Sequence, residues 1–249
     1  MNVFAGTDIG LVRRENEDYV FASGEPVGPL ENLFMVADGM GGHRGGEFAS
    51  RYVVEQIVRT IRSSKKENPV SALNEAIQEA NYGLREEASR NPKFWEMGTT
   101  LVAATIDGAT MFVANIGDSR LYLLEDGINL RQVTRDHSWV EEMVADGKMA
   151  RGSESYWEKK NIITRAVGID DTATADFFEI DLKPGERILL CSDGLTNMVE
   201  DEEIERILSM PDPLEELGKE LMEEGKRNGG RDNISVILVE PELDEVNIC

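Results

Sequence analysis

Leu33-Phe34-Met35-Val36-Ala37-Asp38-Gly39-Met40-Gly41-Gly42 is an apolar run that stops at a carboxylate and then places glycine at three of the next four positions. An uninterrupted apolar run of this length matches a strand buried on both faces. A lone Asp-Gly at its end would read as a hairpin turn. The pattern, however, recurs in Arg187-Ile188-Leu189-Leu190-Cys191-Ser192-Asp193-Gly194, and Met111-Phe112-Val113-Ala114-Asn115-Ile116-Gly117-Asp118 is a third apolar run ending in aspartate. A fourth acid, Asp232, stands just before the apolar run from Ile234 to Val239. Carboxylates at the ends of four buried strands can meet at one edge of a core, where their repulsion calls for bound cations. Hard oxygen ligands suit magnesium or manganese.

With 249 residues and 41% hydrophobic content, the chain can bury a full core as one domain. A formal net charge of −22 and a pI near 4.5 repel a nucleic-acid backbone or an anionic membrane over most of the surface, so neither is expected as a partner. Cys191 lies within an apolar run and Cys249 is the last residue. They make neither an evident disulfide nor a metal-ligand cluster, which fits a reducing compartment. The segment from Met1 to Asp8 has no basic stretch or long apolar core, and no run reaches the ~18 apolar residues of a membrane span. A cytoplasmic monomer is expected.

Val3 to Asp8 and Asp18 to Ala22 read as strands around a charged segment, which by itself reads as a solvated loop. Helical stripes follow: Ala49, Val53, Ile57 and Ile61, then Val70, Leu73, Ile77, Ala80 and Leu84 after an Asn68 cap and Pro69. Strands are expected over Thr99–Ile106, Met111–Ile116, Leu121–Leu124 and Leu130–Val133, with Asp107-Gly108 and Asp126-Gly127 as turns. Ser138 to Val144 reads as a short helix. Ile162–Val167, Phe177–Leu182 and Arg187–Ser192 return to strand patterns. Asp201 to Met210 is helical, and Asp212-Pro213-Leu214-Glu215 opens another helix with a capping-box pattern. Strand Ile234–Val239 closes a domain over residues 1–240, leaving 241–249 as an acidic tail. This order suggests an α+β fold of antiparallel sheets covered by helices. Residues 145–161, polar and without clear periodicity, are longer than an idle loop.

Arg13 with Asn16-Glu17-Asp18, Val36-Ala37-Asp38-Gly39-Met40-Gly41-Gly42-His43, Gly98-Thr99-Thr100, Gly117-Asp118-Ser119-Arg120, Ser192-Asp193-Gly194 and Gly230-Arg231-Asp232-Asn233 form an ordered series. It resembles the motif series of the PPM (type 2C) metal-dependent protein serine/threonine phosphatases in their bacterial form, from about Thr7 to Val239. The resemblance implies a four-layer α-β-β-α sandwich, two central and mainly antiparallel sheets flanked by helices, with the active site at one edge. It implies that Asp38 bridges two ions, Mn2+ or Mg2+, that Asp193 and Asp232 complete the first, and that the Gly39 carbonyl serves the second. Asp118 with Asp193 would hold a third. Glu17 and Asp18 would act through metal-bound waters, Asn233 would support the site, and residues 145–161 would be the variable flap.

The residue types suit the implied chemistry. A phosphate monoester is a dianion that repels hydroxide, and two cations both lower a water's pKa and neutralise the phosphoryl oxygens. Arg13 offers a planar fork to two phosphate oxygens. The implied reaction is in-line attack by a metal-bridging hydroxide on phosphoserine or phosphothreonine, opposing serine/threonine kinases, with phosphorylated proteins and those kinases as partners. The alternative is a catalytically silent phosphoprotein-binding module on the same fold, against which the complete set Asp38, Asp118, Asp193 and Asp232 argues. A cysteine nucleophile is not supported, because the residue six after Cys191 is Asn197 rather than arginine.

One departure stands out: Met40 occupies the place where some members carry a histidine proposed as general acid. His43 is a candidate for that role, set against a structural role in the glycine loop, and a metal-bound water is the preferred proton donor. His137 reads as a loop histidine. In the flap, Arg151, Ser153, Tyr156 and Trp157 are candidate substrate contacts, with Trp157 alternatively an anchor. The acidic surface suggests phosphosites with basic flanks.

Overall fold

Strands that are apolar at both parities need cover on both faces, and that requirement builds the molecule. The computed structural model describes residues 1–41, 45–91 and 96–243. In β3 (Leu33–Met40), Leu33, Met35 and Ala37 pack on α1 (Gly45–Ser63) and α2 (Pro69–Arg90), while Phe34 and Val36 face a second sheet. In β10 (Arg187–Cys191), Ile188 and Leu190 face inward, and Leu189 and Cys191 pack on the helical layer of α5 (Asp193–Thr196), α6 (Asp201–Leu208) and α7 (Leu214–Arg227). β11 (Ile234–Glu240) divides the same way, with Ile237 and Val239 inward and Ile234, Val236 and Leu238 outward.

The result is two antiparallel sheets face to face with helices outside. One sheet runs β1 (Asn2–Asp8), β11, β10, β7 (Arg120–Glu125), β8 (Asn129–Gln132). The other runs β2 (Asp18–Ser23), β3, β5 (Leu101–Asp107), β6 (Thr110–Ile116), β9 (Asp176–Asp181), with the short β4 (Gly98–Thr99) beside β3. This is the expected four-layer α+β sandwich. Asn68 caps α2 as its sequence indicates, accepting from the Ser71 amide at 2.9 Å, with Pro69 at the helix start. Among the described residues no helix is long and apolar enough to cross a membrane.

Four expectations change. Residues 162–167 do not form a strand: β9 already occupies the edge beside β6, and the segment makes only isolated bridges, Ser138 to Ile163 and Thr99 to Val167. The flap is not structureless, since α4 (Glu154–Lys159) forms within it after α3 (Trp139–Ala145); six residues are too few to show a periodicity. The expected strand from Thr99 breaks at Thr100, whose amide donates to the Asp38 carbonyl at 2.8 Å and whose hydroxyl accepts from the Asp38 amide at 2.9 Å. Asp212 does not cap α7; Pro213 holds that position with extended backbone and makes no side-chain cap. Of the expected tail, residues 244–249 lie outside the described residues.

The Asp-Gly pairs fall into two physical kinds. Gly108, with φ of +58°, and Gly127, with φ of +73°, sit in hairpin turns. Gly39 and Gly194 are not in the left-handed region; they are glycines because another backbone passes against them. A Cβ on Gly39 would lie 2.0 Å from the Gly46 carbonyl oxygen, and one on Gly194 would lie 1.9 Å from the Asn233 carbonyl oxygen. Gly194→Ala should therefore cost about 1 to 3 kcal/mol, the usual penalty of overpacking against a backbone that has to shift. Unchanged stability in denaturant unfolding would show that the two segments are not locked together.

Candidate active site

One end of the sandwich collects the carboxylates. β3 carries Asp38 near its end, α5 begins with Asp193 directly after β10 and Ser192, Asp118 follows β6, and Asp232 precedes β11. Asp18 opens β2 and is the register partner of Asp38. A cleft of about 380 Å³ there is lined by Arg13, Glu17, Asp38, Gly39, Asp118, Asp193, Asp232 and Asn233. The structure thus brings together every expected site residue except His43, which lies outside the described residues. Asp18 is buried alongside, and the Ser192 hydroxyl donates to its Oδ2 at 2.7 Å, tying one sheet to the other.

The acids are braced by neighbouring side chains and backbone. Besides the Thr100 contacts, the Thr99 hydroxyl donates to the Asp38 carbonyl at 2.9 Å, and Thr100 Oγ1 lies 2.8 Å from Ser119 Oγ, next to Asp118. The Gly98-Thr99-Thr100 motif is therefore a clamp on the Asp38 main chain. Asn197 Nδ2 donates to Asp193 Oδ2 at 2.8 Å. Asn233 organises the loop before β2: its Nδ2 donates to the carbonyls of Ile9 at 3.0 Å and Glu15 at 3.1 Å, and its Oδ1 accepts from the Glu17 amide at 2.8 Å. The Glu17 carbonyl in turn accepts from the Gly39 amide at 3.0 Å. On that loop, Arg13 Nη2 donates to Asp232 Oδ2 at 2.6 Å.

Sequence reasoning missed two contributors. His137 is in a loop, as expected, but is only 5% exposed. Its Nδ1 lies 3.1 Å from the Gly117 amide and its Nε2 lies 3.1 Å from Asp176 Oδ2, which fits a neutral ring protonated on Nε2. Its own amide donates to the Gly117 carbonyl at 2.9 Å, so it clips the turn that presents Asp118. Burial lowers its pKa, against the pull of Asp176. Arg120 forms a two-pronged pair with Asp136, at 2.9 and 2.7 Å, and donates to the Tyr122 hydroxyl at 2.7 Å, which fixes the strand after Asp118. Neither role has a local sequence signal, because the partners are distant in the chain.

The flap residues are occupied with one another. Arg151 pairs with Glu141, whose other oxygen accepts from the Tyr156 hydroxyl at 2.6 Å, and Ser153 caps α4. Trp157 remains 52% exposed.

Electrostatically, the cluster is costly as bare carboxylates. Burial, and then its acidic neighbours, push Asp18 up to about 7, in spite of hydrogen bonds from Ser235 and Ser192. Burial and the surrounding acids hold Asp38 and Asp118 well above the ordinary carboxyl range, and burial followed by Asp232 raises Asp193. Arg13 is lowered by burial but raised more strongly by Asp232, Glu17 and Asp38. Asp18 Oδ1 and Asp193 Oδ1 are buried without a hydrogen-bond partner. Orphaned hard oxygens among like charges fit divalent cations. Among the described residues no three acidic, cysteine or histidine side chains are arranged to hold an ion as they stand; Asp232 is turned to Arg13, and one oxygen of Asp193 to Asn197.

A carboxyl raised by folding keeps a proton that the unfolded chain would release. Its stabilising contribution is complete below the ordinary value of 3.8 and is lost as pH rises through the folded value, about 7 for Asp18. Each unit is worth about 1.4 kcal/mol. Metal-stripped protein should therefore melt at a lower temperature at about pH 8 than at about pH 5, and added Mn2+ should raise the melting temperature more at the higher pH, where it does not compete with protons. Equal melting temperatures at both pH values would contradict the buried cluster.

Comparison with known proteins bears on this cleft directly. The protein phosphatase 2C family model matches residues 13–238. A serine/threonine phosphatase of Listeria monocytogenes is 38% identical over 249 residues, spanning 96% of this chain and 95% of that one. The serine/threonine phosphatase of S. agalactiae has a TM-score of 0.89 at 30% identity, over 97% of this chain and 99% of its own. The catalytic domain of the phosphatase PstP, solved in complex with two manganese ions, has a TM-score of 0.83 at 34% identity, over 95% of this chain and 96% of its own. The motif order, the two-sheet architecture and the carboxylate end of the sheets thus converge, and the chain belongs to the protein phosphatase 2C (PPM) family in its bacterial form as a metal-dependent protein serine/threonine phosphatase.

Proposed function

We propose that this cleft removes the phosphoryl group from phosphoserine and phosphothreonine by direct transfer to water, with Asp38, Asp118, Asp193 and Asp232 as metal ligands and Arg13 as the phosphate grip. One observation carries the proposal: four aspartates, Asp18 buried and Asp38, Asp118 and Asp193 half-buried, meet at one sheet end, with two of their oxygens buried and unpartnered. At neutral pH such a cluster favours cations among its charges. Asp38 would bridge two ions, Asp193 and Asp232 would complete the first, the Gly39 carbonyl would serve the second, and Asp118 with Asp193 would take a third. The manganese bound by PstP supports Mn2+, and Mg2+ suits the same oxygens. When bound, such ions acidify a water and offset the charge of the phosphoryl oxygens.

The rest falls to the protein's own groups. Arg13 exchanges Asp232 for two phosphoryl oxygens, a match to its planar fork. Asn233 keeps the Arg13 loop in register with β11, and Glu17 holds the Gly39 amide through its carbonyl. Glu17 and Asp18 would act through ordered water. Met40 offers the leaving alkoxide no proton. Cys191, buried and pushed up to about 12 by burial, is no nucleophile. A free, buried cysteine also suits a cytoplasmic enzyme that opposes serine/threonine kinases, which we take to act as a monomer.

Hydrolysis of phosphothreonine peptides should require Mn2+ or Mg2+ and stop on chelation. Turnover by fully metal-stripped protein would overturn the mechanism, and phosphopeptide binding without turnover in excess Mn2+ would instead mark a silent binding module.

For Arg13→Ala the Michaelis constant for phosphopeptides should rise roughly ten- to a hundredfold, the loss expected for charge-assisted hydrogen bonds to phosphate. Calorimetric affinity for Mn2+ should be retained or improved, since Asp232 is released. An unchanged Michaelis constant with weakened Mn2+ binding would mean that Arg13 serves the metal site alone.

A further inference from the structure

Beside the catalytic cleft lies a second hollow of about 330 Å³ that the reaction itself does not use. It lies where the end of α4, α5 and the Gly230-Arg231-Asp232 turn meet, and it shares Asn161 and Asp232 with the catalytic cleft. Its charged groups are Lys160, Arg231 and Asp232. The one anion is already paired with Arg13, at 2.6 Å. Arg231 is exposed, and no hydrogen bond or ion pair holds it among the described residues. Lys160 is half-buried, and its Nζ stands 4.8 Å from the centroid of the Trp157 ring, a cation–π contact that fixes where the ammonium sits. Trp157 is itself oriented by Nε1 donating to the Gly152 carbonyl at 3.1 Å. Lys160 is also within electrostatic reach of Asp193, so the hollow opens next to the reacting position. A protein of net charge −22 therefore presents, beside its catalytic cleft, two cations outside any ion pair among the described residues, Lys160 feeling Asp193, Glu200 and Asp136 only at longer range.

The adjoining hollow is more acidic. About 390 Å³ in volume, it shares Trp157, Lys160 and Asn197 with this one and Asp118 and Asp193 with the catalytic site; it is walled by Glu200, Asp201 and Glu202, and its arginines, Arg120 and Arg151, are already paired with Asp136 and Glu141. The cationic hollow is thus a local feature that bulk charge conceals.

Resting on the phosphatase reading, we propose that the Lys160–Arg231 hollow is a substrate subsite that binds an anionic side chain, a carboxylate or a second phosphate, on one side of the scissile phosphoresidue. A partly exposed pair of cations at short range favours such a group by roughly three- to tenfold. Trp157 and Met198 supply an apolar wall for the neighbouring stem.

The test uses the Mn2+-loaded enzyme and phosphothreonine peptides of one neutral sequence, with a single glutamate, or a single non-hydrolysable phosphonate, walked through the positions on either side of the phosphothreonine. The expected result at low salt is a kcat/KM gain of roughly three- to tenfold confined to positions on one side. That gain should be abolished in Lys160→Glu/Arg231→Glu and reduced in the milder Arg231→Gln. The glutamate and phosphonate arms tell which anion the subsite takes. No gain at any position, a gain equal on both sides, or a one-sided gain that survives both substitutions would overturn the subsite. Failure of the phosphatase reading would look different, abolishing turnover of every peptide and of p-nitrophenyl phosphate alike.

Discussion

Repulsion among buried carboxylates at the mouth between two sheets is the constraint on which the rest of this structure depends. Each charge brought to that end raises the cost of its neighbours, and burial compounds the effect. Left to themselves, the strand ends would splay and let water in. They do not, because each is held: Thr99 and Thr100 hold Asp38, Ser192 holds Asp18 and His137 holds the turn before Asp118, each from another part of the fold, while Asn197 holds Asp193 from the end of the same helix. Behind them stand three apolar layers, one between the sheets and one under each helical face. At roughly 1.5 to 3 kcal/mol for each fully buried large side chain, those layers offset a strained edge. The strain is stored where cations can relieve it, which makes the site preorganised for ions rather than assembled by them.

The fold was legible because its strands are apolar at both parities. Leu33 to Ala37 cannot be a half-exposed strand, and a strand covered on both faces requires layers above and below. The candidate site was legible for a related reason: carboxylates at the ends of such strands have few places to go. What could not be read was whatever depends on a partner distant in the chain. His137 is adjacent to nothing informative, yet it meets Gly117 and Asp176. Thr100 looks like one more strand residue until Asp38 draws its amide and hydroxyl out of the ladder. The segment 162–167 has a strand's composition, but the place beside β6 is taken by β9 and the segment makes only isolated bridges. The glycines after Asp38 and Asp193 look like turn residues, whereas their reason is the backbone passing against them.

Bulk charge and the charge around the cleft are separate properties of this molecule. Much of the negative charge sits on outer helices such as α7, where Glu215, Glu216, Glu220, Glu223 and Glu224 face Lys219, Lys226 and Arg227 across one or two turns. Such exposed pairs contribute little to stability and are screened within about a Debye length. The groups around the cleft act at shorter range, and there Lys160 and Arg231 stand beside an acidic wall of Glu200, Asp201 and Glu202. A net charge of −22 therefore describes how the protein repels surfaces in bulk, not which peptide lies across its active site.

The pairing of β1 with β11 runs through seven consecutive residue pairs, from Asn2 with Glu240 to Asp8 with Ile234. Asn233 adds contacts to the loop that carries Arg13, across 216 to 224 positions of sequence. During synthesis the early strand therefore waits, unpaired on that edge, until almost the whole domain has left the ribosome. Contacts so far apart in sequence form late and slowly. Until they form, Arg13 has no fixed place and Asp232 no strand to present it. An incomplete chain therefore lacks the strand pairing that closes the cleft around Arg13 and Asp232.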